Sequence, residues 1–119
     1  MLQHVSLEVP PDQTERMLEF WRIVGFEEVE APEPLGDSVR WLERNRTQIH
    51  LILTEGHNAP VLGHTAVVAP EHAAAKQALR EAGFQVEDAG QLWGADRAFA
   101  IAPGGHRVEL MAAPPPTSQ

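Results

Sequence analysis

A chain of 119 residues, 43% apolar and 22% charged, has the size and composition of one globular domain, able to bury roughly two thirds of its unfolded surface and too short for two. Seventeen acidic residues against nine basic ones give a formal charge of -8, and no Lys/Arg cluster could neutralise several phosphates, so nucleic acid is not an expected partner. The chain has no cysteine and no tyrosine, which excludes disulfides, thiolate metal sites and phenolic acid–base groups and leaves polar chemistry to His, Asp/Glu, Arg and hydroxyls.

No apolar run approaches the roughly 20 residues that span a bilayer, and Met1 to His4 lacks the basic and apolar regions of a secretory leader, so the expected setting is the cytoplasm, without a membrane. Residues 2–10 alternate as a strand halted by Pro10, with Val5, Leu7 and Val9 on one face and His4, Ser6 and Glu8 on the other. An amphipathic helix follows: Asp12 is the expected N-cap with Glu15 three residues on, Met17, Leu18, Trp21 and Val24 form the apolar stripe, and Gly25 is the stop. Strand-type runs cover 26–29, 38–42 and 47–53.

The same order then repeats. Residues 62–70 align with 2–10 at an offset of 60, matching His64 to His4 and Pro70 to Pro10. A thinner helix is expected over about 71–82 with Ala75, Ala78, Leu79 and Ala82 on one face, and Gly83-Phe84 echoes Gly25-Phe26. Strands at 85–87, 97–101 and 106–111 complete the second half. The fold class is therefore α+β: two tandem βαβββ modules, about 1–54 and 62–112, forming a curved, cavity-enclosing mixed sheet with helices on the outer face. Residues 1–112 make a single domain, and 113–119 form a flexible polar, proline-rich tail.

Parity puts His4 and His64 on the non-helix faces of their strands. In the closing strands, Ile49/Leu51 and Val108/Leu110 alternate with His50 and Glu109, which occupy equivalent repeat positions. If the two sheets pair into one surface, His4, His50, His64 and Glu109 converge, a donor set suited to one divalent ion among Zn, Ni, Co, Mn and Fe. His57, His72 and His106 have no such repeat support and read as ordinary solvated residues. Glu8, Gln48, Trp41, Trp93, Arg97 and Phe99 are the expected substrate-pocket residues, with Arg97 the cation placed to meet an anionic group.

These residues resemble a family pattern. His4 to Val9 at the start, Phe20-Trp21 to Gly25-Phe26 closing the first helix, His64 opening the second module and Gly105 to Leu110 near the end are similar to the vicinal oxygen chelate superfamily over residues 1 to about 112. That superfamily includes glyoxalase I, bleomycin-resistance proteins, fosfomycin-resistance enzymes, methylmalonyl-CoA epimerase and extradiol dioxygenases. The resemblance implies that His4, His64 and Glu109 are metal ligands. It places His50 where glyoxalase I has a glutamate and the epimerase a glutamine, leaving Glu109 as the catalytic base among the ligands.

It further implies a homodimer, with each site within one chain or shared between chains, and a small-molecule ligand. The leading function is a glyoxalase-like, metal-dependent lyase or isomerase acting on a small metal-chelating oxygenated metabolite. The alternative is a bleomycin-resistance-type protein that sequesters a cationic ligand without catalysis, and a third option is a closed structural zinc site. A dioxygenase is disfavoured because a fourth protein ligand crowds the open positions. A fosfomycin-resistance enzyme is disfavoured because residues 91–97 lack that group's cation-binding loop.

Overall fold

The computed structural model describes residues 1–118 and builds one unit twice. The first comprises β1 (His4–Val9), α1 (Thr14–Val24), β2 (Glu27–Val29), β3 (Val39–Arg44) and β4 (Thr47–Leu53). The second comprises β5 (Thr65–Val68), α2 (His72–Glu81), β6 (Val86–Ala89), β7 (Arg97–Ala102) and β8 (His106–Met111). Strand order is β1-β4-β3-β2 in one sheet and β5-β8-β7-β6 in the other, and in each the leading strand runs parallel to the last. The expected doubled βαβββ arrangement is thus present. Each module keeps its own four-stranded sheet, and the pairing leaves the two sheets separate.

Register makes the repeat exact where it matters. Ser6 faces His50 across the β1–β4 ladder, and Ala66 faces Glu109 across the β5–β8 ladder, so His50 and Glu109 each lie opposite the residue two beyond the module's leading histidine. The hairpins that set this register also correspond: Asn45 and Arg46 turn with φ of 49° and 70°, Gly104 and Gly105 with 88° and 85°. Two successive residues in the left-handed region give the turn that matches strand twist.

Both helices end in the same way. The Gly25 amide donates to the Arg22 carbonyl and the Phe26 amide to Trp21; Gly83 and Phe84 repeat this with Arg80 and Leu79. This is the Schellman closure. Its left-handed residue is glycine in both, at φ 111° and 89°, and the following phenylalanine is buried. The start of α1 differs from expectation. Pro11–Gln13 form a 3-10 turn, α1 begins at Thr14, and no side chain caps it; Asp12 is absorbed into the turn, while the Thr14 hydroxyl donates to the Pro11 carbonyl at 2.8 Å. Proline at the first position of that turn favours the tight entry.

One core serves both modules. Leu7, Val9, Ile49, Leu51 and Leu42 from the first sheet and Ala98, Ala100, Val108 and Leu110 from the second join Met17, Leu18, Phe20, Trp21 and Leu79 of the helices. Phe20 packs edge-to-face on both Trp21 and Phe84, with ring centroids 5.3 Å apart in each pair. The sheet faces that carry His4, His50, His64 and Glu109 lie opposite these buried side chains.

Two histidines expected to be solvated are buried. His106, 4% exposed, donates from Nε2 to the Glu8 carbonyl at 2.6 Å and so ties β8 to β1 across the modules. His72, 6% exposed, sits in the first turn of α2, and neither ring nitrogen has a hydrogen-bond partner among the described residues. Helical position alone predicted exposure, but that turn faces the protein. Burial lowers the His72 pKa, and the nearby Lys76 adds to this against opposing pulls from Asp96 and Asp88.

The neutral form is therefore the one the fold accepts. Below the ordinary histidine pKa of about 6.5 the unfolded chain binds a proton that the folded chain refuses, so His72 makes stability fall as pH drops, by at most about 1.4 kcal/mol per pH unit for one proton. Urea unfolding of His72→Leu between pH 7.5 and 5 is expected to show a shallower loss than the unsubstituted chain. Parallel curves would refute the assignment.

Candidate functional site

The donor residues assemble as two pairs, one on the polar face of each sheet. In the first, the His4 and His50 rings stack with centroids 4.0 Å apart and planes at 17°, and Trp41 stacks on the other side of His50 at 3.9 Å and 1°. Cross-strand register explains the column, since Trp41 of β3 lies directly opposite His50 of β4. His50 Nε2 donates to Gln48 Oε1 at 2.7 Å, and Gln48 Nε2 donates to Glu43 Oε1 at 2.8 Å, so a carboxylate orients the amide that orients the imidazole. His4 Nδ1 donates to Gln3 Oε1 at 2.7 Å. These partners assign free lone pairs to His50 Nδ1 and His4 Nε2. Burial, then the neighbouring His4, lowers the His50 pKa and favours the neutral, ligand-competent ring.

In the second pair, His64 Nδ1 donates to the Leu62 carbonyl at 3.0 Å, and Nε2 lies 3.0 Å from Glu109 Oε1. With Nδ1 carrying the proton, a neutral His64 turns its Nε2 lone pair toward a carboxylate oxygen. Either a second proton or a cation held between the two atoms relieves that opposition. Two ligand atoms bonded to one ion at about 2.0–2.2 Å stand roughly 3.0–3.4 Å apart, which the pair already satisfies. The backbone acceptor on the far nitrogen is also the usual support for a metal-binding imidazole. Glu109, 7% exposed, is held from its other oxygen by Arg97 Nη1 at 3.2 Å, while Arg97 Nε donates to the Gly90 carbonyl at 2.7 Å.

The His64–Glu109 half brings one nitrogen and one oxygen donor within hydrogen-bonding distance. The His4–His50 half supplies the right atoms, but nearly parallel planes cannot both contain one ion at bonding distance. The exposed His4 ring must turn about its side-chain bonds to share an ion with His50. Among the described residues, no three His, Cys, Asp or Glu side chains come together as one cation site. The structure therefore brings the quartet together two by two and leaves the pairs apart within the chain.

Glu8 lies on the same face of β1 as His4, and its Oε1 accepts the Asn58 amide at 2.8 Å. Phe99 meets His64 edge-on at 5.2 Å. Trp93 Nε1 donates to the Ala113 carbonyl at 3.0 Å and so fastens the start of the tail to the loop before β7. A cavity of about 750 Å3 opens between the modules, walled by Ser6, Glu8, Ile52, residues 58–61, His64 and Arg107. Arg107 is the residue that sequence reasoning missed. It lies two positions before Glu109 on the same face of β8, and that parity was the available signal.

Comparison with known proteins agrees with this architecture. The structure matches a glyoxalase family protein from Bacillus anthracis with a TM-score of 0.82 and 26% identity, covering 93% of each chain. It matches a lactoylglutathione lyase from Agrobacterium tumefaciens (TM-score 0.69, 18% identity, 93% and 92% covered). A bleomycin resistance determinant encoded on the transposon Tn5 also matches (TM-score 0.61, 16% identity, 90% and 94% covered). No protein-family model matches the chain, and no curated protein matches it in sequence. The chain has the vicinal oxygen chelate fold, as its sequence pattern implied.

Proposed function

We propose that this protein is a glyoxalase-like, metal-dependent lyase or isomerase, with His4, His50, His64 and Glu109 as ligands of one divalent ion and a small oxygen-chelating metabolite as substrate. One observation carries the reading: His64 and Glu109 present ligand atoms 3.0 Å apart with the far nitrogen and far oxygen already engaged, at the register position that holds His50 in the other module. Completion of the quartet then falls to a second copy, the first module of one chain facing the second module of the other. Among the described residues the two pairs do not come together as one cation site, although His64 shares a cavity with Ser6 and Glu8 of β1.

The chemistry a divalent ion supplies at such a site is polarisation of a substrate oxygen and stabilisation of developing negative charge. Proton movement falls to Glu109. The Arg97 guanidinium holds Oε2; Oε1, the oxygen beside His64, would serve as base only when released from the ion by the arriving substrate, taking a proton from one substrate carbon and returning it to its neighbour. Arg97 is thereby committed to positioning the base. The test is metal content after dialysis against metal-free buffer, expected at about one equivalent per chain, and lost in His4→Ala and in Glu109→Ala with circular dichroism unchanged. Affinity should weaken below about pH 6 as the ligand imidazoles protonate. Metal retained in both variants would refute the ligand set.

One feature favours a second reading, sequestration of a flat cation: the Trp41–His50–His4 column, with Glu30 and Asp37 around the cavity beside Trp41, where Glu28 is already paired with Arg40. Bleomycin binding by metal-free protein with no metal uptake would favour it.

A further inference from the structure

We infer that Arg107 is the substrate-recognition cation of this site and that the metabolite it selects is an anion, a small carboxylate or phosphate. The inference rests on the proposed function for the identity of the neighbouring reaction centre and names the substrate class that centre would take. The nearer candidate, Arg97, is already engaged by Glu109 and by the Gly90 carbonyl. Arg107 is half-buried and makes no ion pair among the described residues, and its guanidinium carbon lies 4.3 Å from the centroid of the Phe99 ring. Stacking on an aromatic face fixes the plane of a guanidinium and leaves its N–H edge free for a planar, two-oxygen acceptor.

Position supports the role. Arg107 and Glu109 project from the same face of β8, roughly 7 Å apart along the strand. Arg107 and His64 wall the same cavity of about 750 Å3, which also holds Ile52, Pro60 and Val61 as apolar surface. An anion bound at Arg107 would therefore lie one strand step from the His64–Glu109 pair, with room for an apolar body. Glu8 also lines the cavity, its Oε1 occupied by the Asn58 amide, and adds a negative charge there. The cavity thus carries both signs, with His106, next to Arg107 in sequence, bonded to the Glu8 carbonyl. It offers an anionic group the Arg107 guanidinium and a hydroxyl or amine donor the Glu8 carboxylate.

The test compares phenylpyruvate with its methyl ester, the same body with and without the charge, by calorimetric titration of both metal-free and metal-loaded protein. The unsubstituted protein should prefer the acid by about tenfold or more, as one charge-assisted hydrogen bond allows. Arg107→Gln should abolish that preference, Arg107→Lys should keep part of it, and Glu8→Gln should strengthen acid binding by removing repulsion. A merely structural role for Arg107 would not lower the acid preference in Arg107→Gln and restore part of it in Arg107→Lys while ester binding stays constant. Equal binding of acid and ester, no acid binding at millimolar concentration, or an unchanged preference in Arg107→Gln would overturn the inference. An acid preference in metal-free protein that takes up no metal would sustain the anion site while refuting the metal-dependent reading.

Discussion

Mixing His4→Ala with Glu109→Ala protein is expected to restore metal binding that neither variant has alone. Each variant lacks one half of the quartet. In a two-fold dimer that pairs the first module of one chain with the second of its partner, a mixed dimer has one site missing both residues and one site intact. Random subunit exchange makes about half the dimers mixed, so about a quarter of all sites should refill, read as metal per chain after equilibration and dialysis. The prediction follows from the placement of the pairs. His64 and Glu109 stand 3.0 Å apart, His4 and His50 are stacked, and no third donor completes either pair among the described residues. A site contained within one chain gives a different result: every chain is then missing a ligand, and the mixture stays as empty as its components. Size-exclusion chromatography at the assay concentration checks that dimers are present, and native mass spectrometry with one variant isotope-labelled checks that they exchange.

The same geometry shows what could be read from the chain alone. Alternation and the offset of 60 located both modules, the helix-terminating Gly-Phe pairs and the equivalence of His50 with Glu109, because strand parity and helix closure are local and each is written in a few adjacent residues. What escaped was non-local. His106 reads in the sequence as an ordinary solvated residue, yet it is buried and bonds to Glu8, 98 positions away. His72 was read as an exposed first-turn residue, yet that turn is covered. Arg97 was read as a free cation, and the β7–β8 ladder sets it beside Glu109; Phe99, its neighbour on the same face, became the platform for Arg107. The arrangement of the modules was least legible. Nothing within either repeat states how its sheet meets the other, and that relation decides whether the quartet closes within one chain or between two.

That relation depends on the packing of Phe20, and Phe20→Ala is expected to cost about 3–5 kcal/mol, the range for removing a fully buried aromatic ring. The ring belongs to the helix of the first module, but one of its two edge-to-face partners, Phe84, belongs to the second, and Arg16 lies over that same Phe84 at 3.8 Å. For a domain of this size the loss corresponds to a melting temperature lower by very roughly 10–20 °C. Unfolding should remain a single transition in the unsubstituted chain, because the apolar clusters of the two sheets are continuous through the helices. A double cycle with Phe84→Ala should return a coupling of about 0.5–1.5 kcal/mol for the pair. Two resolved transitions, or a loss below about 1 kcal/mol, would mean that the modules fold as independent units.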